Sequence, residues 1–180
     1  TKQFFQPDDT IFTELVYNYD TLANRLRELS YLNKGITITI TDEREKLEDG
    51  TFKTETFHSE GGLKEFVEYI DGNRESIMEH VIFMEGERDD IPVEVAMRYN
   101  TSFNENLHSY VNNINTHEGG THLAGFRRAL TRTLKKYADE LGLPAKEKVE
   151  VTGDDFREGL TAVISVKVME PQFEGQTKTK

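Results

Sequence analysis

The sequence predicts an α+β domain in which helices pack on one face of a mixed β-sheet. A strict apolar–polar alternation over residues 36–41 has the period of a half-buried strand. Helical segments interrupt runs of strands along the chain, an order that is typical of an α+β layer. The third observation is an amphipathic helix whose apolar residues recur at spacings of three and four: Leu63, Phe66, Val67 and Ile70.

The N-terminal region predicts a strand followed by a helix. A weak alternation over residues 1–6 indicates a strand that ends at Pro7. Asp20 is the expected N-cap of a helix over residues 21–32, because its carboxylate can accept hydrogen bonds from the first backbone N–H groups. The buried stripe of this helix is predicted to consist of Leu22, Leu26 and Leu29.

Further strands are predicted where apolar residues alternate or run together, at residues 51–57, 81–84, 91–99, 107–114 and 160–168. The charged loop between the first two strands, residues 42–50, should close a hairpin. A short strand is expected at 148–151, and a turn or a single helical turn at 153–159. In the last strand, Val163 is predicted to lie opposite a face made of Leu160, Ala162, Ile164, Val166 and Val168.

The segment after Gly119-Gly120 predicts a long helix that closes at Gly142-Leu143-Pro144. Its apolar stripe is predicted to consist of Leu123, Phe126, Leu130, Leu134, Tyr137 and Leu141. The chain gathers positive charge only here. Arg127 lies at the edge of the stripe. Four other basic residues fall opposite the stripe: Arg128, Arg132, Lys135 and Lys136. These residues either form a solvated face or contact an anionic partner.

Composition restricts the class of partner. The chain has 33 acidic and 22 basic residues, for a formal net charge of −11. General binding to nucleic acid requires concentrated positive charge, so only a local basic face is a candidate for contact with DNA. The absence of cysteine excludes disulfides and thiolate chemistry. No apolar run reaches the roughly 18 residues of a membrane span, and no signal-peptide core is present. Because the chain begins at Thr1 without Met, we expect a piece of a longer protein.

His117 and His122 resemble the zinc-protease pattern HExxH, but their spacing differs from it. They are five residues apart, and on a helix this separates them by about 140°. Two glycines lie between them, which also argues against a helix through the pair. We therefore predict no metal site, and expect both histidines to form hydrogen bonds around a helix start.

Two other polar clusters leave alternatives open. Asp154-Asp155 is either a pair of carboxylates for acid–base chemistry or the first turn of a helix, where the helix dipole favours negative charge. The C-terminal segment around Lys178 is either a frayed end or a loop whose ammonium group reaches a phosphate.

Several motifs together resemble one family. The run from Asn112 to His122, followed by Gly125-Phe126, resembles the signature of the ATPase subunits of bacterial type IIA topoisomerases. Residues 152–160 and the closing Gln176-Thr177-Lys178 follow in the same order, and further matches lie at 26–33 and 60–62. The resemblance covers essentially the whole chain. At residues 122–127 it is closer to the gyrase members than to the topoisomerase IV members.

The resemblance implies a domain organisation. Residues 1–7 would be the last strand of a preceding nucleotide-binding domain of the GHKL type, and residues 8–180 would be a transducer domain. The family's transducer fold is shared with a small-ribosomal-subunit protein and contains a left-handed β-α-β crossover, against the usual right-handed preference. The ATP-site base, the ligands of Mg²⁺ and the lid glycines belong to the preceding domain in this family. The DNA-cleaving tyrosine belongs to the partner subunit.

The resemblance also implies a function, namely coupling of ATP binding and hydrolysis to DNA strand passage and negative supercoiling. Gln176 and Lys178 would touch the terminal phosphate of ATP, with Lys178 as the catalytic contact. Arg127 would face DNA, together with Arg128 and Arg132. The implied partners are the gyrase A protein in a heterotetramer, a second copy of the chain on ATP binding, and double-stranded DNA in the cytoplasm, with no membrane. This segment alone should be inactive. The alternatives are the equivalent domain of topoisomerase IV and a non-enzymatic interaction module.

Overall fold

The computed structural model describes residues 1–142 and 151–180. Its regular elements in chain order are α1 (Tyr19–Leu32), β1 (Thr37–Lys46), β2 (Phe52–His58), α2 (Leu63–Asp71), β3 (Ile82–Arg88), β4 (Ile91–Tyr99), β5 (Asn106–Val111), β6 (Ile114–Asn115), α3 (Thr121–Glu140), a short 3₁₀ turn (Asp155–Arg157) and β7 (Leu160–Val166). The predicted strand at 148–151 lies outside the described residues except for Val151, which is not in a strand.

Five strands form a mixed sheet in the order β3-β4-β7-β5-β6, and β1 and β2 form a separate antiparallel hairpin. The central strand β7 runs antiparallel to β4 and parallel to β5. The α+β class with a mixed sheet is therefore confirmed. The connection from β5 to its parallel neighbour β7 carries α3, and the left-handed sense of this crossover stays a prediction.

The helices lie on both faces of this sheet, so the prediction that they pack on one face is wrong. Val163 of β7 packs with Phe66 and Val67 of α2. The alternate residues Ala162 and Ile164 pack in a second cluster, to which α3 contributes Leu123 and Leu130. All seven residues of β7 are buried. The polar residues Thr161 and Ser165 of this strand are buried as well.

Helix α1 begins earlier and is rotated relative to the prediction. Its N-cap is Asn18, whose side chain accepts a hydrogen bond of 2.8 Å from the Thr21 backbone N–H, and Asp20 lies in the first turn instead. Leu22 is exposed. Tyr19 and Ala23 are buried instead, because they pack with Phe57 of the β1–β2 hairpin, and the predicted Leu26 packs beside them partly buried.

Two turns of adjacent positive-φ residues shape the sheet edges. Asp89 and Asp90 join β3 to β4, and Asn112 and Asn113 join β5 to β6. Asn and Asp tolerate this left-handed backbone, which two-residue hairpin turns require. The predicted strand at 107–114 is therefore two strands separated by a turn. The side chain and backbone of Asn112 also form hydrogen bonds with Val168 and Val166, which tie this turn to the end of β7.

Three other expectations concern element ends. The strand predicted near the N-terminus is not seen, since residues 1–7 pair with no strand among the described residues. The last strand, predicted to reach residue 168, ends at Val166. Helix α3 ends at Glu140, and the Leu143-Pro144 part of its predicted stop lies outside the described residues. The single helical turn expected within 153–159 is confirmed. Among the described residues, no helix combines the length and the apolarity that crossing a membrane demands.

We predict that Gly159→Ala destabilises the protein much more than Gly35→Ala. Both glycines have positive φ, at +71° and +87°. A Cβ at Gly159 would lie 2.4 Å from the Asn100 carbonyl oxygen, whereas a Cβ at Gly35 meets nothing within 4 Å. Gly35→Ala should cost about 1 kcal/mol of backbone strain, and Gly159→Ala about 3 kcal/mol or more. Urea unfolding measures both, and equal losses would contradict the packing described at Gly159.

Candidate functional site

The loop before α3 is held by hydrogen bonds around two glycines. Gly119 and Gly120 have φ of +90° and +152°, and a Cβ on Gly120 would come within 2.8 Å of the His122 ring. The Nε2 atom of His122 lies 3.0 Å from the Thr116 hydroxyl, which also lies 2.8 Å from the hydroxyl of Ser109 on β5. The glycines thus allow the chain to turn tightly from the sheet into α3.

This geometry confirms the helix-start role expected for His122 but not for His117. His117 is exposed in the loop, and no hydrogen bond of its side chain to another described residue is found. Half-burial lowers the pKa of the His122 imidazole, because desolvation disfavours the charged form. No group of three or more His, Asp or Glu side chains is placed to hold a metal ion within residues 1–142 and 151–180.

The apolar stripe of α3 is confirmed for the first four predicted positions only. Leu123 and Leu130 are buried, and Phe126 and Leu134 pack beside them. Tyr137 and Leu141 are exposed. A helix of 20 residues is about 30 Å long, and a strand of seven residues spans only about 23 Å. The end of α3 therefore extends past the strand against which it packs.

The outer face of α3 lines an open groove of about 690 Å³. We call it the basic groove. Arg157 from the 3₁₀ turn joins it, and Asp139 and Glu140 lie at one end. No described residue forms an ion pair with Arg128, Arg132 or Lys135, whereas Lys136 lies 3.9 Å from Glu140. The cations that line this groove are Arg127, Arg128, Arg132, Lys135, Lys136 and Arg157.

Arg127 borders the apolar stripe because it is paired with Glu105. Its Nε and Nη2 atoms donate hydrogen bonds of 3.1 and 2.7 Å to the two carboxylate oxygens of Glu105. The Nε atom of Arg157 lies 2.9 Å from the same carboxylate. Sequence reasoning missed Glu105, since it lies 22 residues before Arg127 in a loop and no periodic pattern relates the two.

The adjacent residues Asp154 and Asp155 make separate local contacts. Asp155 accepts hydrogen bonds of 2.7 Å from both the backbone N–H and the hydroxyl of Thr152, which lower the pKa of its carboxyl. Asp154 pairs with Arg157. Both carboxylates are thus engaged in local contacts of a 3₁₀ turn, and the structure favours the interpretation as a helical turn over that as an acid–base pair.

The C-terminal segment folds back as a loop. The Glu174 backbone N–H donates to the Lys180 carbonyl at 2.7 Å, and their side chains pair at 2.9 Å. Between them, Lys178 has a φ of +56° and its ammonium lies 5.6 Å from the centre of the Phe173 ring. Gln176 and Lys178 are both exposed, so their side chains are accessible to a ligand.

The same loop is attached to the start of α3. The Glu118 backbone N–H donates to the Thr179 carbonyl at 3.0 Å, and the Thr179 hydroxyl donates to the Glu118 carboxylate. We call this pair of contacts the tail junction. Along α3, Arg127 and Arg132 lie about 9 and 16 Å from Thr121. The structure thus connects the loop of Gln176 and Lys178 to the turn just before α3, the helix that carries Arg127 and Arg132, a relation that the sequence did not indicate.

Comparison with known proteins gives a consistent family. A family model described as DNA gyrase B matches residues 62–180. Over 180 residues, the chain is 69% identical to the DNA gyrase B protein of Cytophaga aurantiaca, covering 100% of this chain and 38% of that relative. It therefore spans well under half the length of this relative.

Solved structures agree with this result. The 43K ATPase domain of Thermus thermophilus gyrase B, in complex with an aminocoumarin, matches with a TM-score of 0.79 and 34% identity over 93% of this chain and 44% of that chain. The topoisomerase IV ATP-binding domain of Francisella tularensis, in complex with a small-molecule inhibitor, matches with a TM-score of 0.73 and 27% identity over 96% of this chain and 44% of that chain.

We predict that His122→Gln reduces the loss of stability on acidification. The pKa of folded His122 lies below that of the unfolded chain, so the unfolded state binds more protons as pH falls from about 7 to about 5. The wild-type free energy of unfolding should decrease over that range, and the variant should decrease less. Urea unfolding at each pH measures the difference, and parallel curves would contradict the burial described for His122.

Proposed function

The chain belongs to the DNA gyrase B family, and from this membership we propose that it is the transducer segment that couples ATP binding and hydrolysis to DNA strand passage and negative supercoiling. The observation that carries the proposal is the tail junction, because it joins the Gln176–Lys178 loop to the turn that leads into α3, the helix that lines the basic groove. The family model that matches is that of DNA gyrase B, and the relative at 69% identity is a gyrase B protein, which favours gyrase over topoisomerase IV.

At the nucleotide end, Lys178 and Gln176 would contact the terminal phosphate of ATP. An ammonium about 4 Å from a phosphate charge gains about 4 kcal/mol at an effective dielectric near 20, before desolvation. ADP lacks this phosphate, so the contact distinguishes the two nucleotides, and only such a difference can shift a conformational equilibrium. The exposed contact of Lys178 with Phe173 is worth only about 0.5–1 kcal/mol, so a phosphate could displace it.

ATP itself would be bound mainly by the preceding domain. Two solved relatives are an ATPase domain and an ATP-binding domain, each more than twice as long as the part matched by this chain, which supports ATP as substrate. The strongly exposed Phe4 and Phe5 support a preceding domain that covers residues 1–7. Mg²⁺ would be held by residues outside this segment. On its own the segment should not hydrolyse ATP.

At the DNA end, Arg127, Arg128 and Arg132 would face a duplex. The net charge of −11 repels DNA from most of the surface, but a local field of one sign can still attract phosphates to the basic groove. The partners that we propose are the gyrase A protein, a second copy of gyrase B on ATP binding, and double-stranded DNA. Since these partners act on the bacterial chromosome, we place the protein in the cytoplasm.

We predict that Lys178→Gln in the full-length protein lowers ATP turnover by about 10- to 100-fold, because one electrostatic contact to the transferred phosphate is lost. Lys64→Gln is the matched control. Its ammonium lies 5.4 Å from the centre of the Phe83 ring, a contact similar to that of Lys178 with Phe173, but it is on α2, away from the C-terminal loop, so turnover should stay near wild type. Steady-state ATPase assays compare the three proteins. Unchanged turnover in Lys178→Gln would remove the proposed phosphate contact.

We predict that Arg127→Gln, in the full-length protein in complex with gyrase A, lowers DNA-stimulated ATP turnover more than DNA-independent turnover. Loss of one phosphate contact should also reduce the slope of log affinity for DNA against log salt by about 0.9. Arg74→Gln is the control, since Arg74 is exposed beyond the end of α2 on the other face of the sheet. Equal effects of Arg127→Gln on both ATPase rates would argue against a DNA-facing role.

A further inference from the structure

We propose that Glu105 is a displaceable counter-ion that determines how readily Arg127 engages DNA. In the structure its carboxylate accepts two hydrogen bonds from the guanidinium group of Arg127. A DNA phosphate would replace the carboxylate as the acceptor of these hydrogen bonds. The inference rests on the proposed function, in which Arg127 faces a duplex. It adds a residue outside α3 and an ordered exchange of ion pairs at the basic groove.

The geometry of the pair matches that of an anion-binding contact. Two nitrogen atoms of Arg127 point at the two oxygen atoms of Glu105, the bidentate arrangement that guanidinium groups also make with phosphates. The Arg127 side chain is nevertheless 41% exposed and that of Glu105 is 27% exposed. Phosphate oxygens could therefore reach the guanidinium from the solvent side and compete for the same donors.

Arg157 makes the exchange possible. Breaking an isolated partly buried ion pair would leave the carboxylate without a partner, which is costly. Glu105 has a second cation, because the Nε atom of Arg157 lies 2.9 Å from its Oε1 atom. Arg157 is held by more contacts than Arg127, since its side chain is only 17% exposed and also contacts Asp154 and Thr131. When Arg127 turns toward DNA, Glu105 remains paired.

The arrangement has a consequence for selectivity. While Glu105 is paired with Arg127, the charge of Arg127 is neutralised and is not available to other anions. A single isolated anion therefore gains little binding energy in the groove. A duplex carries closely spaced phosphates and is drawn in by the neighbouring Arg128 and Arg132, so it can compete with a single carboxylate. The carboxylate thus raises the DNA concentration that engages Arg127. Solvent reaches both partners of this ion pair and weakens it, so the effect should be modest.

The test uses the full-length protein in complex with gyrase A, and measures the DNA concentration that gives half-maximal stimulation of ATP turnover. Glu105→Gln keeps the shape of the side chain and removes its charge. It should lower this concentration by about threefold to fivefold, since it frees Arg127. The double variant Glu105→Gln/Arg127→Gln should match Arg127→Gln alone, because Glu105 acts through Arg127.

The matched control is Glu55→Gln. Glu55 pairs with Arg27 at 3.2 Å and its side chain is 38% exposed, but it lies on β2, away from the groove. If removal of any negative charge improved DNA binding, this variant would show the same gain, and the proposal would be overturned. A half-maximal concentration that stays near wild type in Glu55→Gln supports the assignment to Glu105.

Two other results would overturn the proposal. If Glu105→Gln leaves the half-maximal DNA concentration at the wild-type value, Glu105 is not a displaceable counter-ion. If Glu105→Gln raises that concentration, Glu105 is a fixed support for Arg127 in the wild-type protein. A merely structural role thus predicts the opposite sign. If instead Arg127→Gln matches wild type in DNA requirement, the DNA-facing role itself fails, which separates failure of the proposed function from failure of this inference.

Discussion

Burial of β7 on both faces is the constraint on which the rest of the structure depends. None of its seven residues is solvent-exposed, and each flanking layer uses a different set of its side chains. Val163 contacts the layer of α2, and Ala162 and Ile164 contact the layer of α3. Interiors packed in this way resist small displacements, because any shift exposes apolar surface or creates a void. The sheet and the first turns of α3 should therefore move together.

Because this unit is rigid, the tail junction couples the Gln176–Lys178 loop to the whole of it. The Gln176–Lys178 loop follows β7 in the chain and returns to Glu118 at the start of α3, so it is anchored on two sides of the same packed unit. A contact at Lys178 that exists with ATP and not with ADP would act on that unit as a whole. The arginines of the basic groove lie on the same helix. Under the proposed function, no separate relay of side chains is needed between the two ends.

Periodicity predicted the mixed α+β architecture, α2, β4 and most of α3, because their burial follows a regular spacing. It also predicted β7 as a strand with Val163 opposite Ala162 and Ile164, but not that helices cover both of its faces. It failed for α1, whose orientation is set by contact with Phe57. The family resemblance supplied Arg127 and Lys178. Glu105 and Glu118 were missed because their partners lie 22 and 61 residues away. Contacts of that kind depend on the tertiary fold, and no local pattern marks them.

The central claim is that one packed unit senses the terminal phosphate and DNA together. Thermodynamic linkage tests it directly in the full-length protein in complex with gyrase A. The affinity for a non-hydrolysable ATP analogue and for ADP would be measured by calorimetry, each with and without saturating duplex DNA. The account predicts that DNA changes the affinity for the analogue by about fivefold or more and leaves that for ADP nearly constant. The same factor for both nucleotides, including a factor of one, would contradict it.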